Sequence, residues 1–199
     1  GATKLVAEKL FASSNYLVGN KNTLFTTIRF GNVWASNGSV GLIFADNVQK
    51  EKNLELTSTK MTRFFITIQE AIELCLYAEE KALGGEIFIR NMGCANIHSL
   101  AKEFMKYSNK GNIKITGKFE GEKYYEELNT DEEAKRMYSH DKYLVIFPQN
   151  LENFSSEIKK TYQERCQNWL KIDKVIRSDY EKEDLNLIKQ LTNKLITKS

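Results

Sequence analysis

The run Thr26-Thr27-Ile28-Arg29-Phe30-Gly31-Asn32-Val33-Trp34-Ala35-Ser36-Asn37-Gly38-Ser39-Val40 limits what this chain can fold into more than any other. From Leu24 to Phe30 the residues are β-branched and aromatic in a short block, the pattern of a buried strand. Gly31, Asn32, Asn37 and Gly38 supply flexible backbone and amide groups where that strand ends. Ser39 is the candidate N-cap of a helix over Val40–Lys50, which carries Leu42, Ile43, Phe44, Ala45 and Val48. A strand that runs through such a loop into a helix belongs to an open α/β fold, in which ligands sit beyond the carboxyl ends of strands. The same sequence also suits a plain connector that binds nothing, and the residues alone leave both readings open.

The rest of the chain repeats the alternation. Ala2 to Tyr16 reads as a helix, with Leu5, Val6, Leu10 and Phe11 at helical spacing between Lys4, Glu8 and Lys9. Gly19 to Asn22 reads as a turn. Leu54 to Thr57 alternates as a short strand, and Thr59 to Phe65 is extended. A helix from about Thr67 to Leu83 opens on a Thr67–Glu70 capping box, has an apolar face of Ala71, Ile72, Leu74, Cys75 and Ala78, and stops at Gly84-Gly85. Strands are expected at Glu86–Arg90, Ile113–Thr116 and Tyr143–Phe147, and a helix over Asn96, Ile97 and Leu100 to Tyr107. The fold class is therefore α/β with mixed pairing in its second part. After Pro148 the composition turns polar and charged, with helices expected at Ser155–Leu170 and Lys182–Ile196. Their apolar stripes fit either docking onto a surface or a marginal tail.

The 199 residues suffice for one good core or one and a half small ones. A net charge of +3, with no basic run interleaved with aromatics, gives no argument for nucleic acid. No apolar run approaches the roughly 18–20 residues of a membrane span, and no signal peptide stands out. Cys75, Cys94 and Cys166 lack metal-ligand spacing and leave one thiol over under any disulfide scheme, which suits a reducing, cytoplasmic compartment. Cys75 reads as core. His98 and His140 are far apart, with no nucleophile motif nearby, and neither reads as catalytic. The chain opens on a helix without an initiator Met, as though cut from something longer.

Several separated pieces line up with one family. Gly1-Ala2-Thr3-Lys4-Leu5-Val6-Ala7-Glu8-Lys9-Leu10-Phe11 resembles the helix of extended short-chain dehydrogenases/reductases that carries a Tyr-x-x-x-Lys motif, with Lys4 as its lysine. Arg29-Phe30-Gly31-Asn32-Val33 with Gly38-Ser39-Val40 resembles the Arg-Tyr-Gly-Asn-Val…Gly-Ser-Val segment of the nucleotide-sugar 4,6-dehydratase branch. Met61-Thr62-Arg63-Phe64 is similar to that branch's Met-Thr-Arg-Phe. Gly121-Glu122-Lys123 with Glu126-Glu127-Leu128 resembles its Arg-Pro-Gly-Glu-Lys…Glu-Glu-Leu. The resemblance covers about Gly1 to Pro148 and is closest to the polysaccharide-biosynthesis type, the UDP-N-acetylglucosamine 4,6-dehydratases, some of which invert C5.

This resemblance implies the C-terminal part of a Rossmann-like enzyme. Residues 1–52 would complete the Rossmann domain, 53–148 would form a small mixed α/β substrate lobe, and 149–199 a helical extension. Lys4 would be catalytic, hydrogen-bonding the nicotinamide ribose and lowering the pKa of the tyrosine. Val33 would face the nicotinamide and Asn32 the sugar ring. Asn37, Gly38 and Ser39 would bring backbone N–H groups and a helix N-terminus to the nucleotide-sugar. Arg63 would pair with the UDP pyrophosphate through its planar fork, and Glu122 would accept from the uridine ribose. Where the family has a second phosphate-binding arginine this chain has Phe119; Lys118 beside it offers a point charge, not a fork. The cofactor would be NADP or NAD, held mainly by a glycine-rich half that this sequence lacks. In the complete enzyme hydride leaves C4, water is eliminated across C5–C6, and hydride returns to C6. Implied partners are a UDP-sugar, a second copy of the complete enzyme and a complementary N-terminal half; no metal is implied. The alternatives are a nucleotide-sugar 4-epimerase, against which Met61-Thr62-Arg63-Phe64 speaks, or an inactive remnant or split subunit that binds UDP-sugar or a partner chain.

Overall fold

A computed structural model describes residues 2–17 and 23–196. The expected turn at Gly19–Asn22 lies outside them. In chain order the helices are α1 (Ala2–Ser14), α2 (Val40–Gln49), α3 (Ile68–Lys81), α4 (Ile97–Met105), α5 (Asp131–Ala134), α6 (Ser156–Asn168) and α7 (Leu185–Ile196). The strands are β1 (Thr27–Arg29), β2 (Asn32–Val33), β3 (Leu54–Leu56), β4 (Thr62–Ile66), β5 (Ile87–Arg90), β6 (Cys94–Asn96), β7 (Ile113–Ile115), β8 (Met137–His140), β9 (Tyr143–Ile146) and β10 (Leu170–Ile172). The chain divides into two compact units.

The first unit comprises the described residues of Gly1–Arg29, Gln69–Asn91 and Asn129–Val175. Its sheet runs β1-β5-β9-β8-β10. Only β1 and β5 are parallel, with Ile28 opposite Phe88; the other pairs are antiparallel. Successive strand side chains face opposite sides. Phe88 and Val145 therefore share one face, where Leu74, Tyr77 and Ala78 of α3 and Tyr162 of α6 cover them. Arg29 points to the other face. There its guanidinium is held by both carboxylate oxygens of Glu8 on α1, at 2.6 and 2.7 Å, and by both of Glu133 on α5, at 2.7 and 2.8 Å. Thr130 and Glu133 close a capping box around the start of α5.

On α3 the buried stripe is Ala71, Leu74, Tyr77 and Ala78. Cys75, expected in the core, is exposed, as is Ile72. At about 100° per residue the stripe centres between Ala71 and Leu74, which leaves Cys75 on its flank and Ile72 beyond it. On α1 the stripe read from the sequence also faces outward, with Leu5, Val6, Leu10 and Phe11 each more than half exposed. Strands β8 and β10 were not legible. The burial of β8 does not alternate, and β10 is a three-residue strand.

The second unit comprises the described residues of Phe30–Ile68, Met92–Leu128 and Ile176–Ser199. Here β2 runs parallel to β4, with Asn32 opposite Phe65; β6 is antiparallel to β4, and β3 pairs in parallel with β7. Its core gathers Trp34, Phe44, Leu54, Phe65, Leu100 and Phe104. The stripe of α7 docks there through Ile188 and Leu191, and the Trp34 indole N–H donates to the Leu191 carbonyl at 3.2 Å. Residues after Pro148 thus serve both units, β10 in the first and α7 in the second.

One glycine in α2 is fixed by packing. A Cβ on Gly41 would lie 2.5 Å from the ring of buried Trp34. Gly41→Ala is expected to lose about 1–2 kcal/mol in urea denaturation, since overpacking outweighs the roughly 1 kcal/mol gain in helix propensity. An unchanged or higher midpoint would show that the ring gives way.

Candidate functional site

The loop between β2 and α2 is shaped by its own backbone. Ala35 and Gly38 both adopt positive φ, 59° and 72°. The Ser36 hydroxyl donates to the Val33 carbonyl at 2.9 Å, and the Ser39 N–H donates to the Ser36 carbonyl at 2.9 Å. These turns bend the segment around a cavity of about 260 Å³ lined by Asn32, Val33, Ser36, Asn37, Gly38, Ser39, Val40 and Phe65. All five loop residues singled out in the sequence therefore meet in one place. Ser39 does hold the N-cap position of α2, but its side chain makes no capping bond. Its Oγ is buried without a hydrogen-bond partner among the described residues. A buried hydroxyl left unpaired at a cavity wall costs about 1–3 kcal/mol unless something enters to meet it. The α2 N-terminus adds a partial positive charge at the same wall.

Arg63, on β4, lies in the same unit but is already engaged. Nη1 donates to the carbonyls of Thr62 at 2.8 Å and Tyr124 at 3.2 Å, Nη2 to that of Lys123 at 2.8 Å. Nε sits 3.4 Å from Glu126 Oε1. The fork clasps the loop that carries Glu122. Glu122 Oε1 accepts from the Thr57 hydroxyl at 3.2 Å, and Oε2 from the Phe119 N–H at 3.4 Å. Gly121, at φ 81°, makes the turn that brings Glu122 back onto Phe119. Phe119 itself, in place of the family arginine, is 72% exposed, and the Lys118 ammonium lies 4.5 Å from the centre of the Tyr124 ring.

Two residues were missed by reading the sequence for motifs. Glu126 stands between the predicted groups. With its nitrogen turned toward the carboxylate, the Asn32 amide donates to both Glu126 oxygens at 3.3 Å, and Arg63 is on the same carboxylate. Burial pushes the Glu126 carboxyl above the usual carboxylate range; Arg63 and the Phe64 N–H pull it part of the way back. Ser178 locks Glu126 in place. Its buried hydroxyl accepts from the Glu126 N–H at 2.9 Å, donates to the Thr62 carbonyl at 3.1 Å and pairs with the Thr62 hydroxyl at 2.8 Å. The Glu126–Leu128 and Ile176–Ser178 backbones bond each other at both ends. Glu126 carried a signal, the repeated glutamate of the segment that follows Glu122. Ser178 carried none.

Lys4 belongs to the other unit, exposed on α1. The loop cavity by itself does not hold a whole dinucleotide. The cavity is small beside the roughly 300–1,000 Å³ of ordinary cofactor pockets, and no glycine-rich turn of the dinucleotide kind precedes a helix.

Residues 1–148 match a family model described as "Polysaccharide biosynthesis protein". The chain is 37% identical over 149 residues to a UDP-N-acetylglucosamine 4,6-dehydratase (inverting) of Campylobacter jejuni, covering 74% of this chain and 44% of that protein. It is 37% identical over 183 residues to an uncharacterized membrane protein of Methanocaldococcus jannaschii, covering 88% of this chain and 55% of that one. It is 34% identical over 137 residues to a UDP-glucose 4-epimerase of Rickettsia felis, covering 68% of this chain and 40% of that one. No described helix here is long and apolar enough to cross a membrane. The crystal structure of Pen from Bacillus thuringiensis superposes with a TM-score of 0.81 at 29% identity, covering all of this chain and 57% of that one. The chain spans about half the length of the relatives it matches. With the α/β fold and these matches together, the chain belongs to the polysaccharide biosynthesis protein family, among relatives that include UDP-N-acetylglucosamine 4,6-dehydratases.

Proposed function

We propose that this chain supplies the sugar-nucleotide site of an NADP-dependent UDP-N-acetylglucosamine 4,6-dehydratase of surface polysaccharide or glycan biosynthesis, and is inactive by itself. The observation that carries the reading is the cavity of Asn32, Asn37, Gly38 and Ser39 with its unpartnered buried Ser39 hydroxyl. On this reading Asn32 meets the sugar ring, and Asn37, Gly38 and Ser39 meet the nucleotide-sugar with backbone and hydroxyl donors. Arg63 turns its fork from the Lys123 and Tyr124 carbonyls to the pyrophosphate, exchanging neutral acceptors for charged ones. Glu122 takes the uridine ribose hydroxyls, and Lys118 adds charge near the phosphates. Val33 borders the nicotinamide. Lys4 contributes the ammonium that stabilises a phenolate. A nicotinamide cofactor, when bound to the complete enzyme, supplies the hydride chemistry. Its other contacts are expected from a glycine-rich half, either in one polypeptide or as a partner chain.

Calorimetric titration with UDP and UDP-N-acetylglucosamine tests this. Saturable binding is expected, and Arg63→Ala is expected to lose about 1.5–3 kcal/mol of affinity, the scale of a charged hydrogen bond. A folded chain that binds neither ligand overturns the reading. A 4-epimerase is the second reading, favoured by the Rickettsia felis relative. UDP-glucose binding as tightly as UDP-N-acetylglucosamine would support it.

A further inference from the structure

We infer that Glu126 is a positioning residue that sets the polarity of the Asn32 amide at the sugar end of the site. The inference rests on the proposed role of Asn32 and extends it to a residue with no assigned part.

The geometry is specific. Asn32 on β2 and Arg63 on β4 sit on neighbouring parallel strands, and both reach the same carboxylate from there. An ionised carboxylate only accepts hydrogen bonds. With Glu126 behind it, the Asn32 amide has one satisfactory orientation. Its NH₂ faces Glu126, 3.3 Å from each oxygen, and its carbonyl oxygen is left to accept from a hydroxyl of whatever occupies the cavity that Asn32 lines. An unconstrained asparagine would present either edge. Glu126 thereby turns a two-way group into a fixed acceptor, which suits a ligand rich in hydroxyl and amide donors, such as an N-acetylated hexose.

The carboxylate is itself held firmly enough to do this. Its backbone N–H donates to the Ser178 hydroxyl, and its carbonyl accepts from the Ser178 N–H, each at 2.9 Å. Two groups meet the side chain, the Asn32 amide and the Arg63 guanidinium. A half-buried carboxylate is costly unless so met. The same carboxylate meets Arg63 Nε at 3.4 Å, while the two Nη groups hold the Thr62, Tyr124 and Lys123 carbonyls, the bonds that the proposed phosphate contact would replace. Glu126 therefore touches both proposed ends of the site, but a glutamine in its place keeps an oxygen that accepts from Arg63 Nε, whereas the acceptor-only face toward Asn32 is lost.

The test is titration of the chain and its variants with UDP and with UDP-N-acetylglucosamine, read as the preference for the sugar over the bare nucleotide. Glu126→Gln replaces the acceptor-only group with one that both donates and accepts. It is expected to bind UDP within about twofold of the parent and to lose about tenfold of the sugar preference, one hydrogen bond's worth. Glu126→Asp keeps a carboxylate and is expected to restore part of that preference. In an Asn32→Ala background Glu126→Gln is expected to change the preference no further. Equal weakening of both ligands by Glu126→Gln, or none, overturns the inference while the reading of the site stands. A parent chain that binds neither ligand overturns both together. A further check needs no variant. The Asn32 side-chain amide protons are expected to exchange slowly in the ligand-free chain, and rapid, solvent-like exchange overturns the contact.

Discussion

Arg29→Ala is expected to destabilise the first unit by about 3–5 kcal/mol, the cost of removing one partner from a buried ionic group. Among the described residues the guanidinium is the only group that meets both Glu8 and Glu133 at hydrogen-bond distance, and both carboxylates are buried. Lys9 lies 3.8 and 3.9 Å away but is largely exposed, so it cannot replace the fork. Urea denaturation gives the size of the loss, and amide exchange across β1 and β5 locates it. A midpoint within error of the parent would overturn the assignment. A companion variant separates charge from packing. Arg29→Met with Glu8→Leu and Glu133→Gln removes the charges together, keeps a capping-box residue after Thr130, and is expected to recover most of the loss.

The cluster also fixes a pH dependence. Burial alone would raise the Glu133 carboxyl. Hydrogen bonds from Arg29 and the Thr130 N–H more than offset it, leaving it at about 2 against an ordinary 4.5. A depressed carboxyl stabilises the fold above its unfolded pKa. That contribution is expected to be complete above about pH 5 and to drain away as pH falls from about 4.5 toward 2. Arg29→Ala should flatten this acid limb.

Trp34→Ala is expected to cost the second unit a similar amount, about 3–5 kcal/mol. Trp34 is buried, packs edge-on against Phe65 with ring centres 5.4 Å apart, approaches Phe104 and bonds the α7 backbone. Truncation would open a cavity beneath the loop that carries Ala35, Asn37 and Gly38. Loss of UDP-N-acetylglucosamine binding should therefore accompany the loss of stability, and binding retained at parental affinity would show that the loop holds its shape without the indole.

The fold class was legible because its signals are local. The strand into Gly31 and the helix after Ser39 are continuous runs, and the α3 stripe repeats at fixed spacing. What the chain hides is set by pairing across distance. β10 forms because β8 offers an edge. Cys75 is exposed because the stripe beside it is satisfied without it. The candidate site divides the same way. Asn32, Val33, Asn37, Gly38 and Ser39 are close neighbours in sequence and share one wall. Glu126 and Ser178 come from distant segments, and a short polar residue such as Ser178 carries no periodic signature.

The strap formed by Ile176 and Ser178 has a consequence for how such chains diverge. It lies beyond the 148 residues that match the family, yet it holds Glu126, which lies within them. Two of its bonds are backbone to backbone, from Leu128 N–H to the Ile176 carbonyl and from Ser178 N–H to the Glu126 carbonyl. Such bonds are indifferent to side-chain identity. The backbone part of the strap therefore tolerates substitution, and only the Ser178 hydroxyl depends on the residue that carries it. A polypeptide trimmed to residues 1–148 would lose that strap and α7 together, and with them the bond to the Trp34 indole and the anchor of Glu126, both of which lie inside the family segment.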